Sequence, residues 1–161
     1  MNLEKIQELW ERDSKIDRTM LCEESVKIPQ LHQRYMDLFN TFFLMKKEAE
    51  AKIKTMRRDK WLYYKGRASS EVYKNMPFDL KLTTREEIDM FIEADEEYQK
   101  VVLKVDYIEQ TLTFLDSVLR QINNRTYQIK NAIEWEKFQN GLWDTVNHTS
   151  LWEFLQSLGV T

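Results

Sequence analysis

From Tyr98 onward the chain carries an apolar stripe at successive a and d heptad positions: Tyr98, Val101, Val105, Ile108, Leu112, Leu115, Leu119 and Ile122. Thr126 takes the next slot as a polar exception, and Ile129 and Ile133 resume the seam. Spacings that alternate three and four hold these side chains on one helix face, and about five heptads of them require a helix much longer than the globular average. Asp95 stands in cap position, so the stripe predicts one helix over about 96–139.

A second stripe precedes it. Leu31, Tyr35, Leu38, Phe42, Met45 and Ala49 repeat at four and three, and Ile53 and Met56 carry the pattern on after a slip. Pro29 suits a first helical turn, where its missing N–H has no intrahelical partner, and Gly66 is the next breaker, so a helix over about 30–65 is predicted. Leu3, Ile6, Leu9 and Trp10 predict a short first helix that continues through Ile16, Met20 and Leu21. Residues 66–80 read as a loop, with Ser69, Ser70, Asn75 and Pro77 as breakers. Thr84 with Glu87 has capping-box spacing for a helix at about 85–93.

Only three Gly and two Pro occur in 161 residues, too few for the turns of a β-sandwich or a doubly wound sheet. The expected fold is therefore all-α. It forms one domain over 1–141, with N-terminal helices in 1–67 and a long helix in 95–140. An extension at 142–161 carries a second capping box, Ser150 with Glu153, among Leu151, Trp152, Phe154, Leu155 and Leu158.

Several function classes fall away. A single Cys22 excludes an internal disulfide framework and a multi-cysteine zinc site. His32 and His148 are far apart in unlike contexts, and no Gly-rich phosphate loop exists. The first residues lack the apolar stretch of a secretory signal, and the run Leu38 to Met45 is far short of the roughly 20 residues a membrane span needs. A soluble protein of a reducing compartment is expected, with no cofactor and no metal. One enzyme reading stays open: Glu86, Glu87, Asp89, Glu93, Asp95, Glu96 and Glu97 could collect Mg²⁺ in a divergent all-α nucleotide pyrophosphatase. The competing reading is a solvated face near helix N-termini.

The net charge of −3 conceals an asymmetry. Between residues 46 and 67 nine bases face three acids, whereas between 71 and 100 nine acids face four bases. Within the basic block, Arg57, Arg58, Lys60, Lys65 and Arg67 are interleaved with Trp61, Tyr63 and Tyr64. Single-stranded nucleic acid calls for this combination, cations for the phosphates and flat rings for unpaired bases. The alternative is that the rings close a core while the bases solvate it; the clustering of charge favours binding. The heptad seam likewise has two readings, packing inside the monomer against the 30–65 helix or pairing with copies of itself. Its length favours self-association, and a coiled-coil scaffold without nucleic-acid binding remains the alternative function.

The helix-end segment Arg58-x-Lys60-Trp61-x-Tyr63-Tyr64-x-Gly66-Arg67 matches a pattern of the UvsY family, the recombination mediators of T4-like bacteriophages. Ile16-Asp17-x-Thr19-x-Leu21, Lys46-Lys47-Glu48, Val102-Leu103-Lys104-Val105-Asp106 and Arg125-x-x-x-Ile129-Lys130 with Phe138 and Gly141 extend the match. The chain resembles that family from Leu3 to Gly141. The resemblance implies a non-enzymatic mediator that binds single-stranded DNA as a ring-like hexamer or heptamer in the cytoplasm of an infected bacterial host. It also implies that the protein loosens single-strand-binding protein and helps a RecA-like recombinase of the UvsX type nucleate. The family's basic pair maps onto Arg58 and Lys60, and its C-terminal oligomerisation region onto the heptad seam. Two departures stand out: the pair appears in the order Arg then Lys, and Trp61 replaces a Leu, which keeps the charge and adds a ring. The stretch 142–161 has no counterpart.

Overall fold

The computed structural model of the chain describes residues 2–141, so the Ser150–Glu153 capping box and its apolar neighbours lie outside the described residues. Five α-helices and one 3-10 turn are described, with no strand among them. They are α1 (Leu3–Asp13), the turn Arg18–Met20, α2 (Leu21–Tyr64), α3 (Ser70–Asn75), α4 (Arg85–Glu93) and α5 (Glu96–Gln139). The fold is all-α, as the stripes require. No described helix is long and apolar enough to cross a membrane. The chain divides into two compact units, Met1–Tyr35 with Ser117–Thr161, and Met36–Asp116. The first unit joins two distant stretches of sequence and the second is one consecutive stretch, and both long helices contribute to each.

In the first unit, Asn2 caps α1 by accepting from the Lys5 N–H at 3.2 Å, and Ile6 is fully buried. Trp10 meets Tyr35 edge to face at 5.4 Å. The helix stops at Asp13 and does not run on through Ile16 to Leu21 as expected. The reason lies on α5: the buried Arg125 guanidinium donates to the carbonyls of Asp13, Ser14 and Lys15 at 3.0, 3.2 and 2.8 Å. A cation on the orphan carbonyls of a helix end is favourable. Asp17 then caps the 3-10 turn through the Thr19 N–H at 2.8 Å.

Helix α2 starts at Leu21, nine residues before the expected boundary, and Pro29 lies inside it. An interior proline costs about 3 kcal/mol. Anchoring of the preceding turns offsets that cost: Leu21 is buried, and Glu24 accepts from Arg125 at 2.7 Å. The Arg125 bond holds the Glu24 carboxyl below its ordinary pKa against the opposing effect of burial.

In the second unit, Ile88 and Ile92 of α4 and Tyr98 of α5 form a buried centre, with Ile53, Met56, Trp61 and Tyr64 of α2, Leu82 and Val102 packed against it. The predicted capping box is complete: Thr84 Oγ1 accepts from the Glu87 N–H at 3.2 Å, and Glu87 Oε2 accepts from the Thr84 N–H at 3.1 Å. Asp95 Oδ1 caps α5, accepting from the Glu97 and Tyr98 N–H groups at 3.0 and 3.1 Å. The 66–80 stretch is not all loop, because α3 forms within it. Ser69, Asn75 and Pro77 bound that helix rather than interrupt it, and Tyr73 secures it by donating to the Tyr63 carbonyl at 2.6 Å.

The heptad seam is covered by the chain itself. Ile108, Leu112, Leu115, Leu119, Ile122 and Ile129 are buried, and Val101, Val105 and Ile133 are half-buried. Within one chain these side chains are already covered, which is the first of the two readings of the seam. At the C-terminal end of α5 the pattern changes, and Trp135 and Phe138 stack on one another at 5.7 Å while 59% and 65% exposed.

Candidate nucleic-acid interface

Helix α2 ends where the basic and aromatic residues concentrate, and the termination is sharp. Gly66 adopts φ +76°, the Arg67 N–H reaches the Leu62 carbonyl at 2.8 Å, and the Gly66 N–H reaches Tyr63 at 3.1 Å. This pair of bonds is the Schellman arrangement, which a residue without Cβ enters at no steric cost.

Three residues of the motif line one groove. Arg57 and Trp61 of α2 and Lys65 just past its end recur every four residues and line the groove together with Thr83, Arg85, Ile88 and Asp89. Arg57 pairs with Asp89 at 3.0 Å, a hydrogen bond that raises its pKa. Lys65 Nζ lies 3.5 Å from the Thr83 carbonyl oxygen. Arg85 pairs with Asp89 at 3.6 Å from a side chain that is 84% exposed. The groove thus offers three cations against one carboxylate, around an indole whose other contacts are with the buried centre.

The remaining motif residues divide. Arg58 is 68% exposed and pairs with its sequence neighbour Asp59, and Arg67 is exposed just past the helix end. Lys60 is different. Its Nζ lies 2.8 Å from both Asp95 Oδ2 and Glu97 Oε2, and its side chain is 12% exposed. Burial opposes the charge on Lys60, but the two carboxylates outweigh it and raise the pKa. Tyr64 donates to Asp95 at 2.9 Å, and burial with that bond pushes its pKa up to about 12. Tyr63 stacks on Tyr73 at 5.5 Å and donates to the Met76 carbonyl at 3.2 Å. Phe78 and Phe91 complete an aromatic cluster around Tyr64. Lys60, Tyr63 and Tyr64, expected as DNA contacts, are engaged inside the protein.

Arg85 was missed by sequence reasoning because it sits in the acidic stretch and counts there against its neighbours. One signal was available. Arg85 is the first residue after the Thr84 cap, where a cation opposes the helix dipole and has only the i,i+4 pair with Asp89 to offset it. The acidic stretch itself proves to be the counterface of the basic one: Asp89 pairs with Arg57, Asp95 and Glu97 pair with Lys60, and Glu87 caps α4. Among the described residues no group of three His, Cys, Asp or Glu side chains could hold a metal ion, which leaves the pyrophosphatase reading without a site.

The family model for recombination, repair and ssDNA binding protein UvsY matches residues 9–142. The recombination protein uvsY of Enterobacteria phage T4 is 25% identical over 141 residues, covering 88% of this chain and 99% of that protein. A crystal structure of the bacteriophage T4 recombination mediator protein UvsY, lattice type IV, aligns with TM-score 0.77 at 25% identity over 86% of this chain and 99% of that one. A second lattice form of the same protein, type II, has the same fold at TM-score 0.77 and 24% identity. The helix-end motif, the groove it builds and the two long helices all fall within the matched span, and the chain belongs to the UvsY family of recombination, repair and single-stranded-DNA-binding proteins, a family of binding proteins and not of enzymes.

Proposed function

We propose that this chain is a recombination mediator that binds single-stranded DNA as a homo-oligomer in the cytoplasm of an infected bacterial host. In this reading it helps displace single-strand-binding protein and loads a RecA-like recombinase of the UvsX type. The observation that carries it is the groove in which Arg57, Lys65 and Arg85 surround Trp61. Cations at such a groove follow the phosphates, and the indole offers a stacking face that tolerates any base. Arg58 and Arg67, both exposed, extend the phosphate contacts, while Lys60, Tyr63 and Tyr64 shape the platform from within. Sequence preference is then weak, because phosphate contacts position a strand without reading it.

One subunit offers few cations, and the net charge of −3 opposes binding at a distance. Affinity therefore comes from several grooves of a ring-like hexamer or heptamer engaging one strand, which raises effective concentration without new contacts. In this reading the copies meet at the C-terminal end of α5, and the exposure of Trp135 and Phe138 beside a seam covered within the chain supports it.

Fluorescence anisotropy with labelled single-stranded DNA at several salt concentrations, beside light scattering for mass, tests the proposal. An oligomer that binds with a steep salt dependence supports it. A monomer, or no binding at low salt, overturns it.

A further inference from the structure

Outside the Trp61 groove, the second unit brings three lysines together from different helices. Lys52 of α2 and Lys100 and Lys104 of α5 line one open groove floored by Met45 and Val101, with Glu48 as its single acid. Four other bases of the block are held in ion pairs: Lys46 with Glu109 and Glu50, Lys47 with Glu50, Arg57 with Asp89 and Lys60 with Asp95 and Glu97. Lys52, Lys100 and Lys104 have no carboxylate within ion-pair distance among the described residues. Lys100 and Lys104 are also four apart on one helix face, where like charges repel and destabilise the helix slightly. A third cation facing them adds to that repulsion. An anionic ligand removes the repulsion.

We propose that Lys52, Lys100 and Lys104 form a second contact for the phosphate backbone of single-stranded DNA, in addition to the Trp61 groove. The inference rests on the reading of the protein as a single-strand binder. It gives that binder a longer track on each subunit, with ammonium groups that act as point charges and carry no base selectivity.

The test uses the full-length protein, a labelled oligothymidylate and the variant K52Q/K100Q/K104Q, with K52R/K100R/K104R as the charge-keeping control. For single strands, log affinity falls against log salt with a slope of about −0.7 per neutralised phosphate. The expected result is a slope shallower by about 2 in the glutamine variant and a wild-type slope in the arginine variant, with helicity and mass unchanged. If the triple substitution unfolds the protein, each single glutamine variant is expected to flatten the slope by about 0.7. An unchanged slope in folded glutamine variants overturns the inference. So does an unchanged DNA slope accompanied by lost binding of poly-glutamate, which would assign the groove to an acidic peptide. Failure of the wild-type protein to bind the strand would instead overturn the functional reading itself.

Discussion

Lys60 Nζ lies 2.8 Å from Asp95 Oδ2, with the two side chains only 12% and 10% exposed. The same carboxylate caps α5 and accepts from Tyr64, so one motif residue of α2 is tied to the start of α5 through a shared acid. The basic pair of the motif is therefore two kinds of residue: Arg58 lies open to solvent, and Lys60 holds the second unit together.

Substituting Lys60 by Ala is expected to destabilise the protein by about 3 kcal/mol, because it leaves a nearly buried carboxylate without its cation. Arg58→Ala is expected to stay within about 0.5 kcal/mol, as exposed charges generally do. Urea denaturation followed by circular dichroism measures both. Equal midpoints for the two variants would contradict this division of roles.

The same pair sets a pH dependence. Burial raises the Asp95 pKa, but the bonds from Lys60, the Tyr98 N–H and Tyr64 outweigh it and hold the carboxyl below its ordinary 3.8. Its stabilising contribution is thus full above that ordinary value and is lost as pH falls through the lower folded value. Lys60 behaves oppositely: its contribution is full below its ordinary 10.5 and is lost as pH rises through the raised folded value. Across the neutral range the pair's contribution is constant. Asp95→Asn is expected to lower stability at neutral pH and to shrink the further loss in acid, measured as melting temperature against pH. An acid limb identical to that of the wild type would show that Asp95 is not the group being protonated.

The buried seam gives a third expectation. Leu115 is fully buried, so Leu115→Ala should cost about 2 to 5 kcal/mol, and Leu115→Asp should unfold the chain rather than release folded monomers. Sedimentation together with circular dichroism separates these outcomes. Folded monomers of the Asp variant would return the seam to an intersubunit role.

By contrast, the double variant W135A/F138A should keep its helicity and lose mass in light scattering, because both rings are exposed and stack on one another. An assembly of undiminished mass would place the subunit contact elsewhere.

Much of this architecture was legible in residue spacing. The heptad stripe located α5 to within a residue of its ends, and Thr84 with Glu87 announced α4, because caps and periodicity are local properties of a helix. The start of α2 was not legible. Pro29 reads as a boundary until Arg125, about a hundred residues away, is seen to bind Glu24 and the end of α1. The candidate site divides in the same way. Composition drew attention to the end of α2, but no spacing rule says that Lys60 and Tyr64 turn toward Asp95 while Lys65 and Arg85 line one groove. Those placements depend on how α4 and the start of α5 pack against α2, which is tertiary information.

The claim that a single strand runs through the Trp61 groove is tested most directly by the salt dependence of strand binding in the double variant K65Q/R85Q. Neither side chain holds the fold together: Arg85 is 84% exposed, and Lys65 makes one long bond to a carbonyl. The expected result is unchanged mass and melting temperature, weaker binding, and a log–log slope shallower by about 1.4, at about 0.7 for each of two phosphates released. Wild-type affinity with a wild-type slope would contradict the account and move the DNA off this groove.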